Sequence, residues 1–163
     1  MKTTIRILSI TFAILMLALT LAACSGGTTA TELTFKTPAG IAIPMGADAA
    51  PIIESLGSWI YQNYSDSCGG FQGKDYIYTY KGYRVFTTPD KNGSIICQVE
   101  ISDDSVKTPE GLYIGMSRTA AEKAMKGFTA EQVGDNLSYT VGGTKLLVSF
   151  RDGAIVGIVY VAA

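Results

Sequence analysis

Lys107-Thr-Pro-Glu-Gly-Leu-Tyr-Ile-Gly-Met-Ser117 has an echo 71 positions earlier, Lys36-Thr-Pro-Ala-Gly-Ile-Ala-Ile-Pro-Met-Gly46. Lys, Thr, Pro, the first Gly and Met recur at matched spacing, and the apolar positions match in kind. Proline and glycine punctuate a chain where it must turn, so each copy reads as the turn that opens a structural unit. The residues downstream are also related. Tyr139-Thr-Val-Gly-Gly143 echoes Tyr78-Thr-Tyr-Lys-Gly82, Lys145–Phe150 echoes Arg84–Pro89, and Ala154–Val161 matches the segment ending at Ile101. One departure stands out: Pro44 occupies the place of Gly115, so the two copies approach their helices differently.

The pattern within each copy predicts a helix followed by a three-stranded antiparallel meander. Asp48 is a helix N-cap with Pro51 tolerated in the first turn, Ile52, Ile53 and Leu56 form an apolar face, and Gly57 ends the helix. Trp59–Tyr64 has no assignable period. Asp75–Lys81 then alternates Tyr76, Tyr78 and Tyr80 against Ile77 and Thr79, Lys81-Gly82 turns into Tyr83–Thr88, and Ser94–Ile101 is a β-branched strand. In the second copy Ser117 is the N-cap, with Ala121, Ala124, Met125 and Phe128 on the buried face. The expected class is α+β, with repeats at 32–103 and 104–163. One helix-plus-meander exposes an apolar sheet face, and two units remove that liability by sharing or extending the sheet.

The N-terminus reads as an address. Met1–Arg6 carries Lys2 and Arg6 and no acid, and an apolar run follows from Ile7 to Leu21. That run is shorter than the ~20 residues of a spanning helix and ends in small residues, as an export signal does. Leu21-Ala-Ala-Cys24 resembles the lipobox of bacterial lipoproteins, which implies diacylglycerol on the Cys24 sulfur and cleavage before it. Residues 1–23 are then a signal peptide, and 24–31, small and uncharged, a flexible tether. The expected location is extracytoplasmic, with the chain held at the bacterial cell membrane by its lipid. Without Lys2 and Arg6, eleven basic residues face fourteen acidic ones, a net charge of −3. No basic stripe is present, which argues against nucleic acid. The chain has no histidine, which removes imidazole as a base or metal ligand.

Gly111-Leu-Tyr-Ile-Gly-Met-Ser117, running into a short helix that ends in glycine, resembles the opening of domains similar to β-lactamase inhibitory protein and of the SmpA/OmlA lipoproteins. Phe71-Gln-Gly-Lys-Asp-Tyr76 and Asp103-Asp-Ser-Val-Lys-Thr-Pro-Glu-Gly111 resemble clostridial-type lipoproteins. The first resemblance implies helices packed on an antiparallel sheet; the inhibitory protein carries two tandem copies and presents a concave sheet to its target. No contact residue of that family has a matching motif here.

Tyr76, Tyr78 and Tyr80 share one strand face, with Tyr83 just beyond the turn. They are either an open aromatic binding platform with hydroxyl handles or core under the helix. Leu137, Tyr139 and Val141 hold the matching places in the second copy. An exported chain permits a disulfide between Cys68 and Cys97; the other reading is two separate thiols, with Cys97 on the Ile95-Cys97-Val99 row. Glu100, Asp103, Asp104 and Glu110 form a sparse acidic cluster that could bind calcium, but it lacks an EF-hand spacing and Asp103-Asp-Ser105 reads more simply as a turn, so no metal is expected and no cofactor beyond the lipid on Cys24. The expected function is a non-catalytic binding module that engages or inhibits an envelope or secreted protein. The alternative is a structural or assembly lipoprotein, and an enzyme is the third class. Cys24→Ala is expected to abolish incorporation of labelled lipid and to leave the precursor uncleaved, read by palmitate labelling and intact mass; a lipidated, processed variant would refute the anchor.

Overall fold

The computed structural model describes residues 32–163, so the expected signal peptide, the expected tether and Cys24 lie outside the described residues. Ten strands and two helices follow one another. The strands β1 (Phe35–Lys36) and β2 (Ala42–Ile43) form a small hairpin that leads into helix α1 (Ala49–Leu56). Then come β3 (Tyr61–Asp66), β4 (Lys74–Tyr80), β5 (Tyr83–Asp90) and β6 (Gly93–Ile101). Helix α2 (Arg118–Ala124) precedes β7 (Ala130–Val133), β8 (Asn136–Val141), β9 (Thr144–Arg151) and β10 (Ala154–Ala162).

The expected α+β class of helix-plus-three-strand meanders is overturned. The described chain is predominantly β, built on one eight-stranded antiparallel sheet in the order β3-β4-β5-β6-β10-β9-β8-β7. The helices are only eight and seven residues long, about two turns each, and fully bury one alanine apiece, Ala49 and Ala121. They are too short to make a layer comparable to the sheet. Each half contributes four strands rather than three. The additional ones, β3 and β7, lie at the two ends of the sheet and are exposed along both faces, which erases the alternation that marks a half-buried strand.

The two halves join where β10 pairs with β6, Ile158 opposite Ile101 and Tyr160 opposite Val99. All four of these side chains are buried. The core continues across that seam. Phe35 packs between Tyr83 and Tyr160, with ring centroids 5.4 and 5.7 Å away. Leu33, Ile43, Val106 and Leu112 cover the same sheet face from the connecting segments. Full burial of one such aliphatic side chain is worth about 1.5–3 kcal/mol, so the sheet face and its loops, not the helices, carry most of the stabilisation.

The two copies of the opening motif take the same backbone form. Thr37 N–H donates to the Ile41 carbonyl (2.9 Å), Gly40 N–H to the Thr37 carbonyl (2.8 Å), and Ile41 N–H to Thr37 Oγ1 (3.1 Å). Thr108, Gly111 and Leu112 repeat all three bonds at 2.9, 2.9 and 3.1 Å. Past that turn the copies slip by two residues. Gly46 and Ala47 bond to Ile96 on β6 as Gly115 and Met116 bond to Ile155 on β10. The caps Asp48 and Ser117 follow directly. The Pro44 departure is therefore a two-residue difference in the approach to α1. Thr108→Val keeps the shape but leaves the Leu112 N–H without its acceptor; we expect a loss of about 1–3 kcal/mol in urea unfolding, against less than about 0.5 kcal/mol for the exposed Thr140→Val.

Candidate functional site

Two sheet faces result from this topology. One carries the helices and the core. The other is uncovered among the described residues and shows, by strand register, Ile77 and Phe86 opposite each other and Val159 opposite Leu147. Across this helix-free face Arg84 Nη2 donates to both Glu100 oxygens at 2.7 Å. The pair is partly exposed, so its contribution is small, on the order of 1 kcal/mol or less.

The four tyrosines singled out from the sequence are divided by the helix-side face. Tyr80 and Tyr83 are each only 7% exposed, stacked 5.1 Å apart at an interplanar angle of 11°, and belong to the core. Tyr76 and Tyr78 are half-buried. They join two residues from the stretch of unassigned period. Trp59 meets Tyr78 edge-on at 5.2 Å, Tyr78 stacks on Tyr76 at 6.0 Å, and Tyr76 meets Tyr64 at 5.9 Å. Lys74 Nζ lies 3.9 Å above the Tyr64 ring, a cation–π contact. The β3–β4 register, Gln62 opposite Tyr78 and Tyr64 opposite Tyr76, builds this strip. Trp59 is 43% and Tyr64 58% exposed, so the strip ends in open rings. β3 pairs only with β4, leaving its outer backbone edge unpaired within the sheet. Tyr61 and Ile60 are exposed beside it.

Cys68 and Cys97 are free. Cys68 is exposed in the loop after β3. Cys97 is the extra residue of a β-bulge in β6, since Phe86 pairs with Gln98 and Thr87 with Ile96. Three strand spacings of ~4.8 Å, roughly 14 Å, separate β3 from β6, beyond the ~7 Å that a disulfide tolerates between Cα atoms. The candidate Cys68–Cys97 bond is thus absent from the structure. Burial pushes the Cys97 thiol up, and the nearby Asp75 carboxylate adds to the effect.

The acidic residues disperse into separate tasks. Glu100 pairs with Arg84, Glu110 accepts from the Tyr160 hydroxyl, and Asp103 Oδ1 accepts from Ser105 N–H at 2.8 Å. The Ser105 hydrogen bonds hold the Asp103 carboxyl below its ordinary value. Among the described residues no three of Cys, Asp and Glu stand close enough to hold a metal ion, and no helix is long and apolar enough to cross a membrane. No family model, no curated protein and no solved structure matches the chain.

Burial, with smaller contributions from Tyr83 and Tyr78, pushes the Tyr80 phenol up to about 12. Burial also raises Tyr83, Tyr139 and Tyr160. A raised pKa means that the fold favours the protonated phenol. That contribution is intact below the ordinary value of 10 and is lost as pH climbs through about 12. In an absorbance titration the buried phenols are expected to ionise only together with unfolding, and Tyr80→Phe should move the alkaline unfolding midpoint upward.

Proposed function

We propose that this chain is a lipid-anchored, extracytoplasmic binding module without catalytic activity, and that it captures an envelope or secreted protein through the Trp59–Tyr78–Tyr76–Tyr64 strip. The observation that carries this reading is the strip itself: four rings in consecutive contact at 5.2–6.0 Å, with open rings at both ends. Trp and Tyr dominate protein-binding hot spots because each buries a large rigid area at little entropic cost and keeps a polar handle. Lys74 adds a cation at one end, which favours an acidic rim on the partner. The anchor at Cys24 would place this surface outside the cytoplasmic membrane, and the lack of histidine in the sequence supports binding over catalysis. A narrower form, inhibition of an envelope or secreted enzyme, rests on the inhibitory-protein resemblance alone.

The open edge of β3 favours a second reading, an assembly lipoprotein of the envelope whose partner adds a strand beside Tyr61–Asp66. The two differ in what they require. Strip recognition needs the rings, whereas strand addition needs mainly the backbone. In affinity capture from envelope extract, Trp59→Ala and Tyr64→Ala are each expected to weaken retention of the partner by roughly 30-fold, the effect of a hot spot of about 2 kcal/mol. Tyr61→Ser, on the opposite face, should retain it. Unchanged capture by both ring variants, with the fold intact, would transfer the role to the β3 edge.

A further inference from the structure

The exposed large apolar side chains of the described residues crowd one edge of the sheet. Trp59, Ile60, Tyr61 and Tyr64 lie in or just before β3, and Phe71 follows in the loop after it. Such clusters mark surfaces that another molecule covers. Sheet edges are normally guarded by brevity, lysine or proline. The β7 edge is four residues long and carries Glu131, whereas β3 has six residues and holds neither lysine nor proline.

The register of β3 fixes which backbone groups face outward. Ser67 N–H donates to the Gly73 carbonyl at 3.0 Å, one step beyond the Asp66–Lys74 pair. In an antiparallel ladder such bonds recur at every second residue, so Ser65, Asn63 and Tyr61 bond inward to β4. Gln62, Tyr64 and Asp66 point their N–H and C=O groups away from the sheet. Tyr64 N–H accordingly donates to Asn63 Oδ1 at 2.8 Å, a local acceptor for a donor that β4 does not serve.

We infer that the β3 edge pairs with the β3 edge of a second copy of this chain, antiparallel and across a two-fold axis at Tyr64. That register sets the three outward residues wholly against one another, Tyr64 opposite Tyr64 and Gln62 opposite Asp66. It is also complementary in charge: each Asp66 carboxylate meets a neutral amide, whereas centring on Asp66 would oppose two carboxylates. The partner's carbonyl replaces Asn63 Oδ1 on the Tyr64 N–H. On the helix side the two aromatic strips meet end to end at Tyr64. Pairing like edges closes the assembly at two copies, where β3 against β7 would propagate. The inference rests on the edge reading of β3 given above and names its partner.

The test is sedimentation equilibrium of the full chain in density-matched detergent. A reversible monomer–dimer equilibrium is expected, with no larger species. Gln62→Glu places a carboxylate opposite Asp66 of the other copy, twice across the axis, and should weaken the dimer at least threefold. Gln62→Lys places an ammonium there and should tighten it, and 1 M salt should narrow the difference between the two variants. All four rings of the strip remain in both. Lysine weakening the dimer as glutamate does, or neither variant moving it, would overturn this pairing, as would a ladder of larger species. A chain monomeric up to about 200 μM would overturn it outright. Gln62→Pro then separates the two readings, since it removes an N–H that faces away from β4 and spares the β3–β4 ladder. A monomeric chain that loses envelope-protein capture on Gln62→Pro refutes self-pairing and leaves the edge reading standing. A monomeric chain whose capture survives that variant refutes both.

Discussion

The pairing of β10 with β6 is the contact on which the remaining architecture depends. It places the last strand of each half at the centre of the sheet, where Ile101, Ile158, Val99 and Tyr160 are buried. With those two strands central, the first strand of each meander is forced to the outside, and β3 and β7 become the two edges. An edge strand lacks neighbours to bury its rings, which is why Tyr64 remains open while Tyr160, at the seam, is wholly covered. The exposed aromatic strip is a consequence of how the two halves are joined.

The duplicated Thr-Pro turns hold this arrangement from the outside. Each is closed by a threonine hydroxyl accepting from the backbone four residues on, and each chain then hydrogen-bonds onto the final strand of its own half. Thr37 and Thr108 are both buried, and their hydroxyls satisfy a buried backbone donor at Leu112 and a half-buried one at Ile41. The two-residue slip after the turn is absorbed before the N-cap, so Asp48 and Ser117 begin helices with the same relation to the sheet. What is repeated is the pattern of hydrogen bonds, more strictly than the spacing of residues.

Among the tyrosines, a single strand face holds both core and surface. Tyr76, Tyr78 and Tyr80 project to the same side of β4, yet only Tyr80 lies where the connecting segments and β5 enclose it. Period two groups these residues correctly but is blind to where cover ends. The tertiary cover over each residue decides that point. Trp59 and Tyr64 carry no periodic signal in the sequence, because β3 is exposed on both faces and Trp59 lies just before it. The aromatic content of Trp59–Tyr64 was the only hint of a strand there.

The sequence by itself determined the turns, the helix caps Asp48, Gly57 and Ser117, and the strands β4, β5, β6, β8, β9 and β10 to within a residue or two, because capping, glycine conformation and alternation are local physics. The N-terminal run also reads as an export signal ahead of Cys24, an expectation that lies outside the described residues. The tertiary structure decided that the class is β rather than α+β, that one sheet runs through both halves, and that β3 and β7 are its edges. It also decided that Tyr80 and Tyr83 are core while Tyr76 and Tyr78 meet Trp59 and Tyr64 at the surface. The reason is that strand order and cover depend on contacts between residues far apart in the chain, such as Ile101 with Ile158, and no local period encodes which strand will lie beside which.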